Sequence, residues 1–217
     1  MALKDSTELV FILDKSGSMG GLESDTIGGF NALLAKQKKE PGDVKVTTVL
    51  FNHDYELLHD RLPITGISPM TEEEYEVGGT TALLDAIGST INKIGNVQKR
   101  TSEDQRADKV MFVITTDGME NASCEYNYKK IKSMISHQKE LYNWEFLFMG
   151  ANINAVKTAG DFGIAEDFAV NYHADEAGTQ LNYKVMSETI SSFRRGKQVD
   201  RTWKKDIEVD FDKRSQE

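Results

Sequence analysis

The stretch "FILDKSGSMGG" over residues 11–21 sets an acid and two hydroxyls, Asp14, Ser16 and Ser18, at alternate positions directly after a strand-like apolar run. Two further stretches carry the same kind of oxygen. "VMFVITTDG" places Asp117 at the end of a second apolar run, and "GGTTALLDAI" places Thr80 and Thr81 at the start of a helical pattern. Alternate spacing lets a tight loop curl its oxygens around one point, and Gly17, Gly20 and Gly21 supply the backbone freedom this needs. All five positions offer hard oxygen, with no imidazole or thiolate among them. Such a set suits Mg²⁺ or Mn²⁺ ahead of Ca²⁺. Hydroxyl ligands are neutral, so two carboxylates balance the dication without over-neutralising it. If those carboxylates stand one shell back and hold waters, the metal stays electron-poor and favours an incoming carboxylate from a partner as its last ligand.

These oxygens converge only if the elements carrying them share one edge of a sheet. Strand-length β-branched runs recur at 8–14, 44–52, 109–117 and 144–151, and three of them are near-continuous, as strands buried on both faces should be. "ELLHDRLPI" at 56–64 reads as a short antiparallel strand paired with 44–52, and 167–172 as a short strand. Helical stripes lie between: Ile27, Phe30, Leu33 and Leu34 in 24–39; Leu83, Leu84, Ile87, Ile91 and Ile94 in 81–96; Ile131, Met134 and Ile135 in 126–140. A short helix stopped by Gly163 and a long one over 176–194 complete the alternation. The pattern predicts an α/β domain with a doubly wound, mostly parallel sheet. In such a sheet ligands collect beyond the carboxyl ends of the strands, where the strand order reverses. Asp14 and Asp117 both fall there.

At these residues the chain resembles the von Willebrand factor A domain family. Its metal-ion-dependent adhesion site has the pattern Asp-x-Ser-x-Ser, a distant Thr and a distant Asp. The resemblance runs over roughly residues 5 to 195 and implies metal ligands Asp14, Ser16, Ser18, Thr81 and Asp117. It selects Thr81 over Thr80, because the family's ligand threonine precedes by five residues a small-plus-aliphatic pair, here Ala86-Ile87. It implies the family's Rossmann-like fold and a non-enzymatic module that binds an Asp or Glu of a partner protein through the cation. The stretch "NWEFLFMGANINAVKTAGDFGI" looks more like intracellular bacterial and phage members than adhesive animal ones.

Other readings weigh less. Asp14 as nucleophile of a Mg²⁺-dependent phosphoryl-transfer hydrolase wants a second aspartate two residues on, and the chain has Ser16 there; a hydroxyl with no base beside it is a poor proton donor at neutral pH. The four histidines, His53, His59, His137 and His173, lack the i,i+4 spacing of a zinc enzyme. "RRGK" at 194–197 reads as a solvated helix end favourable to the dipole, and the methionines as core filling. Thr81 could instead cap a helix, Asp117-Gly118 could start a turn, and Asn121 could bond the rim or cap a loop.

A net charge of -9 leaves no cationic excess for a phosphate backbone, which argues against nucleic acid. No apolar run reaches the roughly 20 residues of a spanning helix, and the beginning "MALKDSTELV" lacks a signal-peptide core, so the expectation is a cytoplasmic protein without a membrane partner. Cys124, the sole cysteine, reads as a small packing residue. The expected division is one domain over 1–199, followed by a charged tail or edge extension over 200–217. In that tail Trp203, Ile207, Val209 and Phe211 would pack or add an edge strand, and the end from Asp212 would be loose.

Overall fold

Strand alternation at the centre of the chain produces a six-stranded sheet in the order β3-β2-β1-β4-β5-β6. The structure, a computed structural model, describes residues 6–215. The strands are β1 (Ser6–Asp14), β2 (Asp43–Phe51), β3 (Tyr55–Pro63), β4 (Lys109–Thr116), β5 (Glu145–Gly150) and β6 (Ala169–Asn171). Only β3 runs antiparallel, against β2; the other neighbours are parallel. The helices are α1 (Glu23–Gln37), α2 (Leu83–Arg100), α3 (Tyr128–Tyr142), α4 (Ala155–Asp161), α5 (Glu176–Arg194) and α6 (Lys205–Arg214).

Alternation along each buried strand divides the core in two. Leu9, Phe11 and Leu13 of β1, with Met111, Val113, Leu147 and Met149, join the α1 and α5 side. Val10 and Ile12, with Phe112, Ile114, Phe146 and Phe148, join α2, α3 and α4 on the other. A sheet apolar on both faces needs both covered, which is why its strands read as continuous runs. One charge interrupts the β1 run. Glu8 is fully buried, and Arg61 of β3 grips its carboxylate from Nε (2.8 and 3.0 Å) and from a terminal nitrogen (2.9 Å).

Helix starts follow side-chain capping. Asn127, Asn154 and Asp175 accept from the backbone N–H of Lys130, Lys157 and Gly178 and so begin α3, α4 and α5. Topologically, the chain builds β2 and β3 on one side of β1, then returns through α2 to β4 on the other. The order reverses between β1 and β4, so their carboxyl ends, at Asp14 and Thr116, flank the switch point.

The structure corrects four sequence expectations. The stretch after Val199 is helical, not an edge strand or a loose end: Trp203, Ile207 and Phe211 recur every fourth residue. The alternation of Ile207, Val209 and Phe211 suggested a strand, but Ile207 is buried and Val209 is 59% exposed, the outcome of a helical period. Acids in the first turn of α6 and Lys213 and Arg214 in its last complement the dipole. Beyond Asp212 the helix continues, and Arg214 pairs with Asp175 and Asp210; residues 216–217 lie outside the described part. Cys124 is exposed rather than packed, because Asp85 draws its backbone N–H into a surface loop. Arg194 of "RRGK" is buried against the end of α1. Met119 is 71% exposed and fills no core, whereas Met70 and Met111 do.

Among the described residues no helix is long and apolar enough to cross a membrane.

Candidate metal centre

Three loops meet at the switch point. The loop after β1 runs beside the 78–82 segment through Gly78 N–H to Lys15 O (2.9 Å) and Gly17 N–H to Gly79 O (3.1 Å). The loop after β4 joins that segment at Thr81, whose N–H donates to Asn121 Oδ1 (2.9 Å) while its carbonyl accepts from Asn121 N–H (3.0 Å). Asn121 thus hydrogen-bonds the rim of the cluster and clamps the threonine loop.

The structure gathers all five sequence-derived residues. Asp14 Oδ1 accepts from Ser16 N–H (2.7 Å) and Oδ2 from the Thr116 hydroxyl (2.5 Å). Ser16 Oγ lies 3.1 Å from Ser18 Oγ, and Ser18 Oγ donates to Asp117 Oδ1 (2.5 Å). Thr81 belongs to the same cluster. A Cβ placed on Gly118 would lie 3.0 Å from Ser18 Oγ, 3.1 Å from Thr81 Oγ1 and 3.8 Å from Ser16 Oγ. All three hydroxyls thus lie within 3.8 Å of one point. Thr80 is exposed, whereas Thr81 is buried. Nor is Thr81 a helix cap: α2 begins after Ala82 without a side-chain cap.

The electrostatics of the cluster favour positive charge. Asp14 is 1% exposed, and burial pushes its carboxyl up to about 6, helped in small part by Asp117 and opposed by its bonds to Ser16 and Thr116. Burial also raises Asp117. Asp117 Oδ2 is buried and has no hydrogen-bond partner. An orphaned buried carboxylate oxygen is costly unless something positive meets it. The residues present fit a hard divalent ion.

Several supports were not read from the sequence. Tyr75, 2% exposed, donates its hydroxyl to the Asp14 carbonyl and fixes the turn from below. Glu120 organises the loop after β4: its carboxylate accepts from Leu84 N–H (2.9 Å), Ala122 N–H (3.0 Å), Ser123 N–H (2.8 Å) and the Ser123 hydroxyl (2.7 Å). Asp85 does the same for the N–H groups of Cys124, Glu125 and Tyr126. The first turn of α2 and the 118–126 loop are therefore capped by each other. Such reciprocal capping has no short sequence spacing that could reveal it. Lys15 points out of the cluster to Glu56 of β3.

The histidines do not gather: His59 bonds Thr48, and His173 stacks on Phe211. Among the described residues no three His, Cys, Asp or Glu side chains form a group that could hold a metal ion.

No protein-family model and no curated protein matches the sequence. Solved structures do match its fold. One is a von Willebrand factor type A protein from Catenulispora acidiphila, with TM-score 0.57 and 12% identity, covering 87% of this chain and 43% of that one. The fold is that of a von Willebrand factor A domain. A manganese-loaded TRAP protein from Plasmodium vivax matches at TM-score 0.53 and 18% identity, over 82% of this chain and 72% of that one. Proximal thread matrix protein 1 of the mussel byssus, with a zinc-occupied MIDAS motif, matches at TM-score 0.57 and 12% identity, over 88% of this chain and 47% of that one. The chain spans less than half the length of the first and last of these. Divalent metal at this fold's adhesion site is thus represented among its structural neighbours.

Gly118 offers a direct probe of the centre's dimensions. Its absent side chain leaves the three hydroxyls room to face inward, and a methyl there would press on Ser18 and Thr81. Gly118→Ala is expected to weaken Mn²⁺ binding about tenfold by displacing hydroxyls a few tenths of an ångström, with the melting temperature of metal-free protein little changed. Isothermal titration with MnCl₂ checks it; unchanged affinity would place the cation elsewhere.

Proposed function

We propose that the chain is a metal-dependent protein-binding module. Mg²⁺ or Mn²⁺ is held by Ser16, Ser18 and Thr81, with Asp14 and Asp117 bonded to it directly or through water. A partner's Asp or Glu supplies the remaining ligand. The observation that carries this reading is the orphaned Oδ2 of Asp117, whose other oxygen bonds Ser18, in a cluster whose three hydroxyls lie within 3.8 Å of one point. The cation supplies positive charge at a surface that otherwise presents buried acid, and the chain's own residues hold the cluster rigid around it. Residues 1–199 form the binding domain in this proposal, and the C-terminal segment is an addition to it.

The enzyme alternative finds less support. Position 16 offers a hydroxyl where phosphatase chemistry wants an acid. The discriminating experiment is to assay the chain with MgCl₂ or MnCl₂ against an aryl phosphate, and in parallel to capture acidic peptides with and without EDTA. EDTA-sensitive capture without turnover is the expected result. Turnover that disappears in Asp14→Asn would overturn it.

A further inference from the structure

Met119 stands two residues beyond Asp117, on the rim of the metal centre, with 71% of its surface in water. The exposure is not that of a loose loop. On one side Gly118 N–H bonds Thr116 Oγ1 (3.3 Å), and on the other Glu120 and Asn121 are bonded into the start of α2 and the threonine loop. The backbone is therefore pinned on both flanks of a side chain that touches little. A fixed apolar side chain held in solvent beside a binding centre is the arrangement expected of a contact anchor, because little ordering is needed when a partner covers it. Methionine also accommodates varied apolar shapes through its flexible thioether.

The remaining rim is low and neutral, formed by Gly17, Ser18, Gly79 and Thr80, all exposed. Lys15, the cation within the first loop, is turned away to Glu56. The His53 imidazole beside Gly79 is itself 3.4 Å from Asp54, and the chain's net charge of -9 opposes a polyacidic tract. Two residues of chain span at most about 7 Å, so Met119 stands within that reach of Asp117, and a partner residue within two positions of its acid has a matching reach.

We infer that the partner segment carries a single Asp or Glu with a large apolar residue within two positions of it, and that Met119 selects for that residue. The inference rests on the metal-site reading above and narrows its partner class.

The test is a display library of random dodecapeptides, captured on the whole chain in MnCl₂ and released with EDTA. Released peptides should carry one acid with Leu, Ile, Phe, Met or Trp within two positions. Met119→Ser should retain the acid and lose the apolar preference, bind the selected peptides about tenfold more weakly, and bind Mn²⁺ as before. Met119→Leu should retain peptide affinity. Acidic peptides without an apolar neighbour, or equal affinity on Met119→Ser, would overturn the role of Met119 and leave the metal-site reading standing. If EDTA releases no acidic peptides from the unaltered chain, the metal-site reading fails and this inference fails with it.

Discussion

Asp14→Asn is expected to abolish divalent-metal binding while leaving the metal-free protein folded and at least as stable as the parent. Asparagine has nearly the same shape: its oxygen can still accept from Ser16 N–H, and its amide can donate to the Thr116 hydroxyl. What disappears is the charge. In the metal-free native state burial holds this carboxyl near 6 against an ordinary value of 3.8, so ionised Asp14 costs the fold about 3 kcal/mol at neutral pH. The sign follows from linkage. A raised native pKa means that the folded state holds the proton more tightly than the unfolded chain. The contribution favours folding fully below about 3.8 and is lost as pH rises through about 6. Metal-free parent protein should therefore gain stability between pH 7 and pH 5 relative to the Asn variant. Adding MnCl₂ at a hundredfold excess over its Kd should stabilise the parent by about 2.7 kcal/mol, or roughly 5–10 °C in a chain of this size. The variant should not respond. Thermal melts with and without metal at the two pH values decide the matter. A variant that melts far below the metal-free parent would make Asp14 structural, and one that retains the metal response would remove it from the site.

The centre was legible because its chemistry is written in short spacings. Asp14, Ser16 and Ser18 lie within one turn of chain, and Asp117 ends a run whose burial on both faces follows from its composition. The mostly parallel α/β architecture was likewise implicit in alternating runs and stripes, and the antiparallel β3 in a more polar run that follows β2 across the tight turn at Asn52–Asp54. Features decided by contacts between distant segments were not legible. Glu120 and Asp85 are ordinary surface acids in sequence, and their work as caps appears only when the loop after β4 is laid against α2. Met119 looked like core material because its residue type usually is, and nothing local says that the loop holds it outward. In α6 two periods competed within five residues. The tertiary choice went to the fourfold one because Trp203 can donate to Asp167 O, Ile207 can enter the core and Phe211 can stack on His173.

The adjacent arginines Arg194 and Arg195 show how far position outweighs residue type, and their substitutions should differ sharply. Arg195 is exposed and reaches Glu40 at 3.1 Å from the surface. Exposed pairs of this kind contribute little, so Arg195→Ala should change stability by no more than about 0.5 kcal/mol. Arg194 is 4% exposed. Its guanidinium donates to Gln37 O (2.7 Å), Gln37 Oε1 (2.8 Å), Glu40 O (3.1 Å) and Pro41 O (2.8 Å). Gln37 O belongs to the last residue of α1, and Glu40 O and Pro41 O to the turn that follows it, an end of the helix that a cation suits on dipole grounds as well. Gln37 is itself buried and donates through its amide to Ser187 O (2.9 Å) and Ser191 Oγ (2.9 Å), so one polar network ties the end of α1 to the last two turns of α5. Truncating Arg194 would take a donor from the buried Gln37 O and Oε1 and from the part-buried carbonyls of Glu40 and Pro41, and would leave a void where the side chain had been. Unmet buried groups cost roughly 1–3 kcal/mol each, and water entering the void offsets part of the sum. Arg194→Ala should therefore lose about 3–5 kcal/mol in urea unfolding at pH 7, several times the effect at Arg195. Lysine should restore only part of it, because one ammonium cannot reach four acceptors spread across a planar fork. Equal, small losses at the two positions would mean that water serves the end of α1 as well as the guanidinium does.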